Sequence, residues 1–284
     1  MTTTLASPVQ VVRAEPRTTA QVKFADGRTY EAPVGTLLEW YVRAAAADQP
    51  WPSPIVAALI DNQLRELTYP VEHDILVQPL GMDDRDGSRI YRRSLTFLLV
   101  VAASELFPEA RLTVDHSVTF GGFYCEVEGR APFTPVELAH IEARMREIVA
   151  LDEPIHKQRA PLADAIELFH RRGEEDKVRL LRHRNKSYLV LYEMRGYAGY
   201  FHGYMTPSAG YVPYFNLHPY DPGFILRFSV VFKISLATFP AIKVFLFCAD
   251  LFFNFLISFF LFFMIHKAIC YLGHQLSART AMQR

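Results

Sequence analysis

The chain has 284 residues, with 30 Lys and Arg against 30 Asp and Glu, so no net field marks it as a nucleic-acid or membrane-surface binder. Half the residues are hydrophobic and 21% are charged, which excludes a disordered chain. Of the 22 phenylalanines, 12 fall from Phe228 onward, so the average composition hides an ordinary body and a Phe-rich tail.

Residues 1–18 read as a disordered leader. They lack the continuous apolar run of a signal peptide, so the body is expected to be cytoplasmic. Ala20 to Phe24 alternates as a half-buried strand, Asp26-Gly27 suits a tight hairpin turn, and Arg28 to Ala32 is the return strand. Thr36-Leu-Leu-Glu39 has the spacing of a capping box and opens a helix whose stripe is Leu37, Leu38, Tyr41 and Val42. Ile55 to Ile60 and Asp74 to Gln78 are further strands, with Asp61-Asn62 a turn. A hairpin, a helix across it and further short strands is the order of a β-grasp domain, placed at 19–80.

Met82 to Ser88 reads as a polar linker. Arg92 to Phe107 is a helix that is apolar almost all round, which places it at the centre of a second domain spanning 88–227. Arg111 to Val127 reads as two strands around Gly121-Gly122. Thr134-Pro-Val-Glu137 is a second capping box, opening a helix to about Ala150 with Leu138, Ile141, Met145 and Ile148 on its apolar face. Two helices, Pro161 to Arg172 and Glu174 to Arg184, and several Tyr-rich strands over Tyr188 to Tyr220 complete the body. In the tail, 228–284, the run Val244 to Ile265 carries one charge, Asp250. Its 22 residues match a hydrocarbon core of about 30 Å. More than a dozen apolar residues, at ~0.3–0.6 kcal/mol each, outweigh the roughly 3 kcal/mol cost of that Asp. The expectation is a single membrane-spanning helix over 244–265, flanked by Lys243 and Lys267.

The catalytic inventory is thin. Three scattered cysteines form no Cys-x-x-Cys, and there is no Gly-x-x-x-x-Gly-Lys-[Ser/Thr] loop and no Gly-x-Ser-x-Gly elbow. No two of the ten histidines are four residues apart, so no helix face offers a two-His metal site. Asp115 and His116 are adjacent in a strand and are expected to point to opposite faces. Lys177, Arg179, Arg182, Arg184 and Lys186 place five cations in ten residues without an acid. Two readings stay open: a nucleotide- or RNA-binding face, joined by Arg92 and Arg93, or a solvated helix whose leading acids and trailing bases match its dipole. Tyr197, Tyr200, Tyr204, Tyr211 and Tyr214 are open between a stacking surface and ordinary sheet and turn residues.

The Asp26-Gly-Arg28 hairpin and the Pro33-Val-Gly-Thr36 helix start resemble a TGS domain, the ubiquitin-like β-grasp module of threonyl-tRNA synthetases. The next stretch resembles the second additional domain of those enzymes, on Arg92-Arg-Ser94, Glu105-Leu-Phe-Pro108, Gly121-Gly-Phe-Tyr124, Phe133-Thr-Pro-Val-Glu137 and Leu168-Phe-His-Arg-Arg-Gly173. Tyr200-Phe-His-Gly-Tyr-Met-Thr-Pro207 and Pro222-Gly-Phe-Ile-Leu-Arg227 resemble a bacterial nucleoside (uridine) kinase-like family that carries the same front before a P-loop kinase domain. The resemblance implies an α+β fold: a β-grasp domain, then an editing-like domain of the threonyl/alanyl-tRNA synthetase kind, followed here by a hydrophobic C-terminal helix.

In the synthetases the editing domain holds metal or protons with a His-x-x-x-His and a later Cys-x-x-x-His pair. By the resemblance these positions fall at Arg93 and Phe97, and near Phe201 and Met205, with His202 facing away on a strand. A guanidinium stays charged and a phenyl ring has no lone pair, so the expectation is a catalytically silent module without cofactor or metal. Its expected partners are nucleotide or RNA, a separate kinase domain, and a membrane through 244–265. Two alternatives stay open: a truncated or frameshifted nucleoside kinase, and a tail-anchored membrane protein with a cytoplasmic binding module.

Overall fold

In the computed structural model, residues 15–119 and 121–228 are described, and the 244–265 run lies outside them. Strand β1 (Thr19–Phe24) returns as β2 (Thr29–Pro33) through the Asp26-Gly27 turn, where Gly27 takes φ 93°. Helix α1 (Leu38–Asp48) crosses the sheet, and β3 (Ile55–Ile60), β4 (Gln63–Glu66) and β5 (Ile75–Gly81) complete it. The strand order β2-β1-β5-β3-β4, with β1 and β5 parallel, is that of a β-grasp. Val22, Phe24, Leu38, Val42 and Val77 bury one face of the sheet under α1. Strand β4 is too short and polar to show in the sequence pattern. It forms because Asp61 and Asn62 both adopt positive φ (50° and 59°), the geometry of a tight two-residue hairpin.

The expected Thr36 cap does not form. The residue before α1 is Leu37, and the free amides of the first turn are taken by another segment: Leu38 N–H donates to the Tyr69 carbonyl and Glu39 N–H to that of Leu67, both at 2.9 Å. Glu39 is thereby released for contacts elsewhere.

Helix α2 (Arg85–Leu106) starts earlier than its apolar run suggests, because Arg85 to Ser88 form its first turn rather than a linker. A Cβ on Gly87 would lie 1.9 Å from the Gly81 carbonyl oxygen, so the helix leaves β5 with its backbone pressed against the strand end. Leu95, Leu98, Leu99 and Ala102 are fully buried, as an all-round apolar helix requires. Strands β6 (Arg111–Val118) and β7 (Gly122–Glu128), helix α3 (Pro135–Ala150), and strands β11 (Phe215–Tyr220) and β12 (Gly223–Phe228) surround it. The sheet order here is β11-β12-β7-β6, and Ile141 and Met145 of α3 share a core with Phe224 and Leu226 of β12. The expected cap of α3 is present: Glu137 N–H donates to Thr134 Oγ1 (3.3 Å) and Thr134 N–H to Glu137 Oε2 (2.8 Å).

A third sheet, β10-β9-β8, combines β8 (His156–Pro161), β9 (Tyr188–Met194) and β10 (Tyr197–Gly199). Helices α4 (Leu162–Arg171) and α5 (Glu175–Arg182) cover one face of it through Phe169, Leu181, Leu189 and Leu191. Strand β8 has no apolar alternation. Its partner β9 imposes the extended form, from His156 opposite Glu193 to Pro161 opposite Tyr188. The β-grasp sheet and the remainder of the body are not separate: Val56, Ala57 and Leu80 pack with Ile90 of α2, and Tyr204 and Tyr211 close over them. No described helix is long and apolar enough to cross a membrane.

Candidate functional site

Helix α2 presents Arg93 and Phe97 one turn apart, and the loop after β10 returns Phe201 and Met205 to them. The Phe97 and Phe201 rings meet edge to face at 5.3 Å, and Tyr197 stands 6.3 Å from Phe97. Phe97 is fully buried and Met205 is 2% exposed. One hydrogen bond from buried Ser94 fastens the loop to α2: its Oγ accepts the Thr206 N–H (2.9 Å) while donating to the Ile90 carbonyl one turn back in the same helix (2.9 Å).

Arg93 donates from Nη1 to the Tyr204 carbonyl, and its guanidinium lies flat against Gly203, where a Cβ would be 2.8 Å from Cζ. Gly203 accordingly takes φ 107°. Tyr192 closes the loop with a 2.9 Å bond from its hydroxyl to the Gly203 carbonyl. Burial lowers the Arg93 pKa and raises that of Tyr192, the direction expected when charge is moved out of water. The residues around His202 form a loop rather than the expected strand, and His202 is exposed. The four positions therefore come together, and what they bring is a guanidinium, two phenyl rings and a thioether. None offers an imidazole, thiolate or carboxylate. Among the described residues, no three His, Cys, Asp or Glu side chains come together as a metal site.

The five cations of 177–186 are divided by the fold. Lys177 pairs with Glu174 and rests 5.4 Å from the Phe169 ring centroid. Arg179 and Arg182 are exposed on α5, behind Glu175 and Asp176 in its first turn, so the dipole-matched arrangement is present. Arg184 donates from Nε to the Tyr188 carbonyl (3.1 Å), and Lys186 lies 5.9 Å from the Tyr188 ring centroid. A sixth cation, Arg159 of β8, joins them 5.1 Å from the same ring. Nothing in the sequence pattern links Arg159 to this segment; the β8–β9 pairing does. Among the described residues, no carboxylate comes within 4.0 Å of Arg159, Arg179, Arg182, Arg184 or Lys186. Arg92 and Arg93 are committed elsewhere, Arg92 over the Phe228 ring at 4.6 Å and Arg93 to the 203–204 loop.

One further expectation changes. Asp115 and His116 do meet, with Oδ2 and Nδ1 2.9 Å apart, because a bulge between Val114 and Ser117 breaks the alternation of β6. Both are well exposed. Of the five tyrosines, Tyr197 lies against the main core, Tyr200 against the α4–α5 cluster, and Tyr204 and Tyr211 against the β-grasp sheet, while Tyr214 is exposed. Tyr211 also donates to Glu39 Oε1 at 3.0 Å, and Arg43 reaches from Glu39 (2.7 Å) toward Asp152 (3.5 Å). Tyr211, Arg43 and Asp152 border a cleft of about 280 Å³ between α1 and the 210–213 segment.

No family model matches the chain. Relatives that the chain matches include threonine–tRNA ligases. Over 164 residues, 57% of the chain, it is 32% identical to the Threonine--tRNA ligase of Xanthomonas euvesicatoria pv. vesicatoria (strain 85-10) and covers 26% of that protein. It is 31% identical over the same length to the enzyme of Xanthomonas campestris pv. campestris (strain B100). Against that of Psychrobacter cryohalolentis, the identity is 32% over 163 residues, covering 25% of the relative. The chain thus spans about a quarter of the length of these relatives. Together with the β-grasp strand order, the likeness makes the fold an α+β pairing of a TGS-like and an editing-like domain. These relatives lend no support to the kinase-like family.

Proposed function

We propose that the chain is a catalytically silent module of the synthetase kind, divided at 19–80 and 88–227, that binds RNA or nucleotide through its basic segment. The observation that carries the silent part is where Arg93, Phe97, Phe201 and Met205 lie: Phe97 and Met205 are buried, Phe201 packs on Phe97, and Arg93 is tied to the Tyr204 carbonyl. Hydrolysis of an ester requires a group that activates water. By the resemblance, the family's metal-ligand positions fall at these four residues, whose side chains are a guanidinium, two phenyl rings and a thioether. The binding part rests on Arg179, Arg182, Arg184 and Lys186, which among the described residues have no carboxylate within 4.0 Å. Such cations are drawn to phosphates, with an affinity that falls as salt rises.

The full chain is expected to leave a mischarged threonine tRNA intact and to purify without stoichiometric zinc; deacylation or bound zinc overturns the silent reading. Arg182→Glu with Arg184→Glu is expected to weaken RNA affinity at low salt by tenfold or more, and unchanged anisotropy titrations overturn the binding reading. A kinase-attached origin rests on the motifs at 200–207 and 222–227. A P-loop in another frame soon after codon 227 would support it, and membrane fractionation of the full chain against a truncation at Arg227 tests an anchor over 244–265.

A further inference from the structure

We propose that one face of the β8–β9 ribbon is a track for an unpaired RNA strand, with Tyr188 as its stacking platform. This rests on the RNA-binding proposal and names the form of RNA. Residues on one face of paired strands alternate, so Lys157, Arg159 and Pro161 of β8 share a face with Tyr188, Val190 and Tyr192 of β9. Along that face Tyr192 is buried in the main core, while Val190 and Tyr188 are half-buried and Arg159 is exposed. Arg159 Cζ and Lys186 Nζ lie over the Tyr188 ring, 5.1 and 5.9 Å from its centroid, and Arg184 holds its backbone through the 3.1 Å bond to the carbonyl. The other end of the row is closed off: Lys157 rests over the Tyr204 ring at 4.9 Å and is neutralised by Glu66 at 2.5 Å.

The pattern is thus a cation pair about an aromatic ring of β9, with Arg159 supplied by β8, which pairs on one side only among the described residues. Lys157 and Arg159 are spaced about 6.8 Å along the strand. A duplex keeps its base faces stacked on one another, and a Tyr ring has nothing in it to stack on. An unpaired base offers that face, and flanking guanidinium and ammonium groups take the adjoining phosphates. A purely electrostatic patch would need no ring at its centre.

The test uses the full chain and two labelled probes, an unstructured 12-nucleotide RNA and a blunt RNA hairpin of equal length whose strands are joined by a non-nucleotide linker, so that it has no unpaired base. We expect the single strand to bind at least fivefold more tightly. Tyr188→Leu should cost the single strand about fivefold or more and leave the hairpin unchanged, while Tyr188→Phe keeps the affinity. Hairpin binding as tight as single-strand binding overturns the proposal, and so does a folded Tyr188→Leu with unaltered single-strand affinity. Should Tyr188→Leu fail to fold, Arg159→Ser on the exposed strand takes its place: it should weaken single-strand binding and reduce the salt slope by about one, and no change overturns the proposal. If Arg182→Glu with Arg184→Glu abolishes RNA binding while the Tyr188 and Arg159 variants do not, the RNA-binding reading survives and the single-strand track falls. If neither probe binds, both fall.

Discussion

Ser94 does more than its one hydroxyl suggests. It is fully buried, and it joins helix α2 to the loop that carries Met205 by accepting from Thr206, with its hydroxyl oriented by donation to Ile90 of the same helix. Ser94→Ala leaves the Thr206 amide without a partner in a site that excludes water, at a cost of about 1–3 kcal/mol. Thermal unfolding should show this as a lowered Tm, and an unchanged Tm would mean that the loop is held by packing alone. Arg93 is the complementary case. Its guanidinium meets a carbonyl rather than a carboxylate, and its bulk is possible only because residue 203 is glycine. That Arg93 and Phe97 are poor metal ligands was legible in the sequence, since it is a property of the side chains. That Phe201 meets Phe97 was not, because it depends on a loop closing over a helix.

At the scale of elements, capping shows where local sequence decides and where it does not. Both Thr36-x-x-Glu39 and Thr134-x-x-Glu137 have the spacing of a capping box, yet only the second forms one. The first turn of α1 finds the carbonyls of Leu67 and Tyr69 within reach, and a competing tertiary acceptor displaces the side chain. In α3 nothing competes. Glu137 accepts from the Thr134 amide and from Arg130, which lower its pKa to about 2. A depressed carboxylate stabilises the fold fully above its unfolded value of about 4.3 and loses that contribution as the pH falls toward 2. Wild type should therefore be more stable than Glu137→Gln at neutral pH, with the difference shrinking between about pH 4.5 and 2. Urea titrations along that range check it, and a constant difference would contradict it. Strand β8 is the opposite lesson, for His-Lys-Gln-Arg-Ala-Pro has no periodicity and becomes a strand only through β9.

Across the whole molecule, the described β-grasp sheet shares its second face with α2. Ile90 sits among Val56, Ala57 and Leu80, under Tyr204 and Tyr211. Ile90→Ala should therefore cost about 2–5 kcal/mol and lower the stability of both parts together. The two tryptophans, Trp40 and Trp51, both lie within the β-grasp, so their fluorescence reports that part while circular dichroism reports all helices and strands. Coincident transitions by the two probes are expected in wild type and variant; a β-grasp melting on its own would contradict the shared core.

By itself the sequence determined the features that near neighbours and side-chain chemistry dictate. The hairpin at Asp26-Gly27, the buried character of α2, the cap of α3 and the inert groups at Arg93, Phe97, Phe201 and Met205 belong there, since each depends on residues a few positions apart or on one side chain alone. Only the tertiary structure decided which carbonyls cap α1, that β8 is a strand, that a bulge brings Asp115 to His116, and that Arg159 stands beside Tyr188 and Lys186. Each of these depends on partners distant in the chain or on a local break in alternation, and hydrophobic period carries no signal for either.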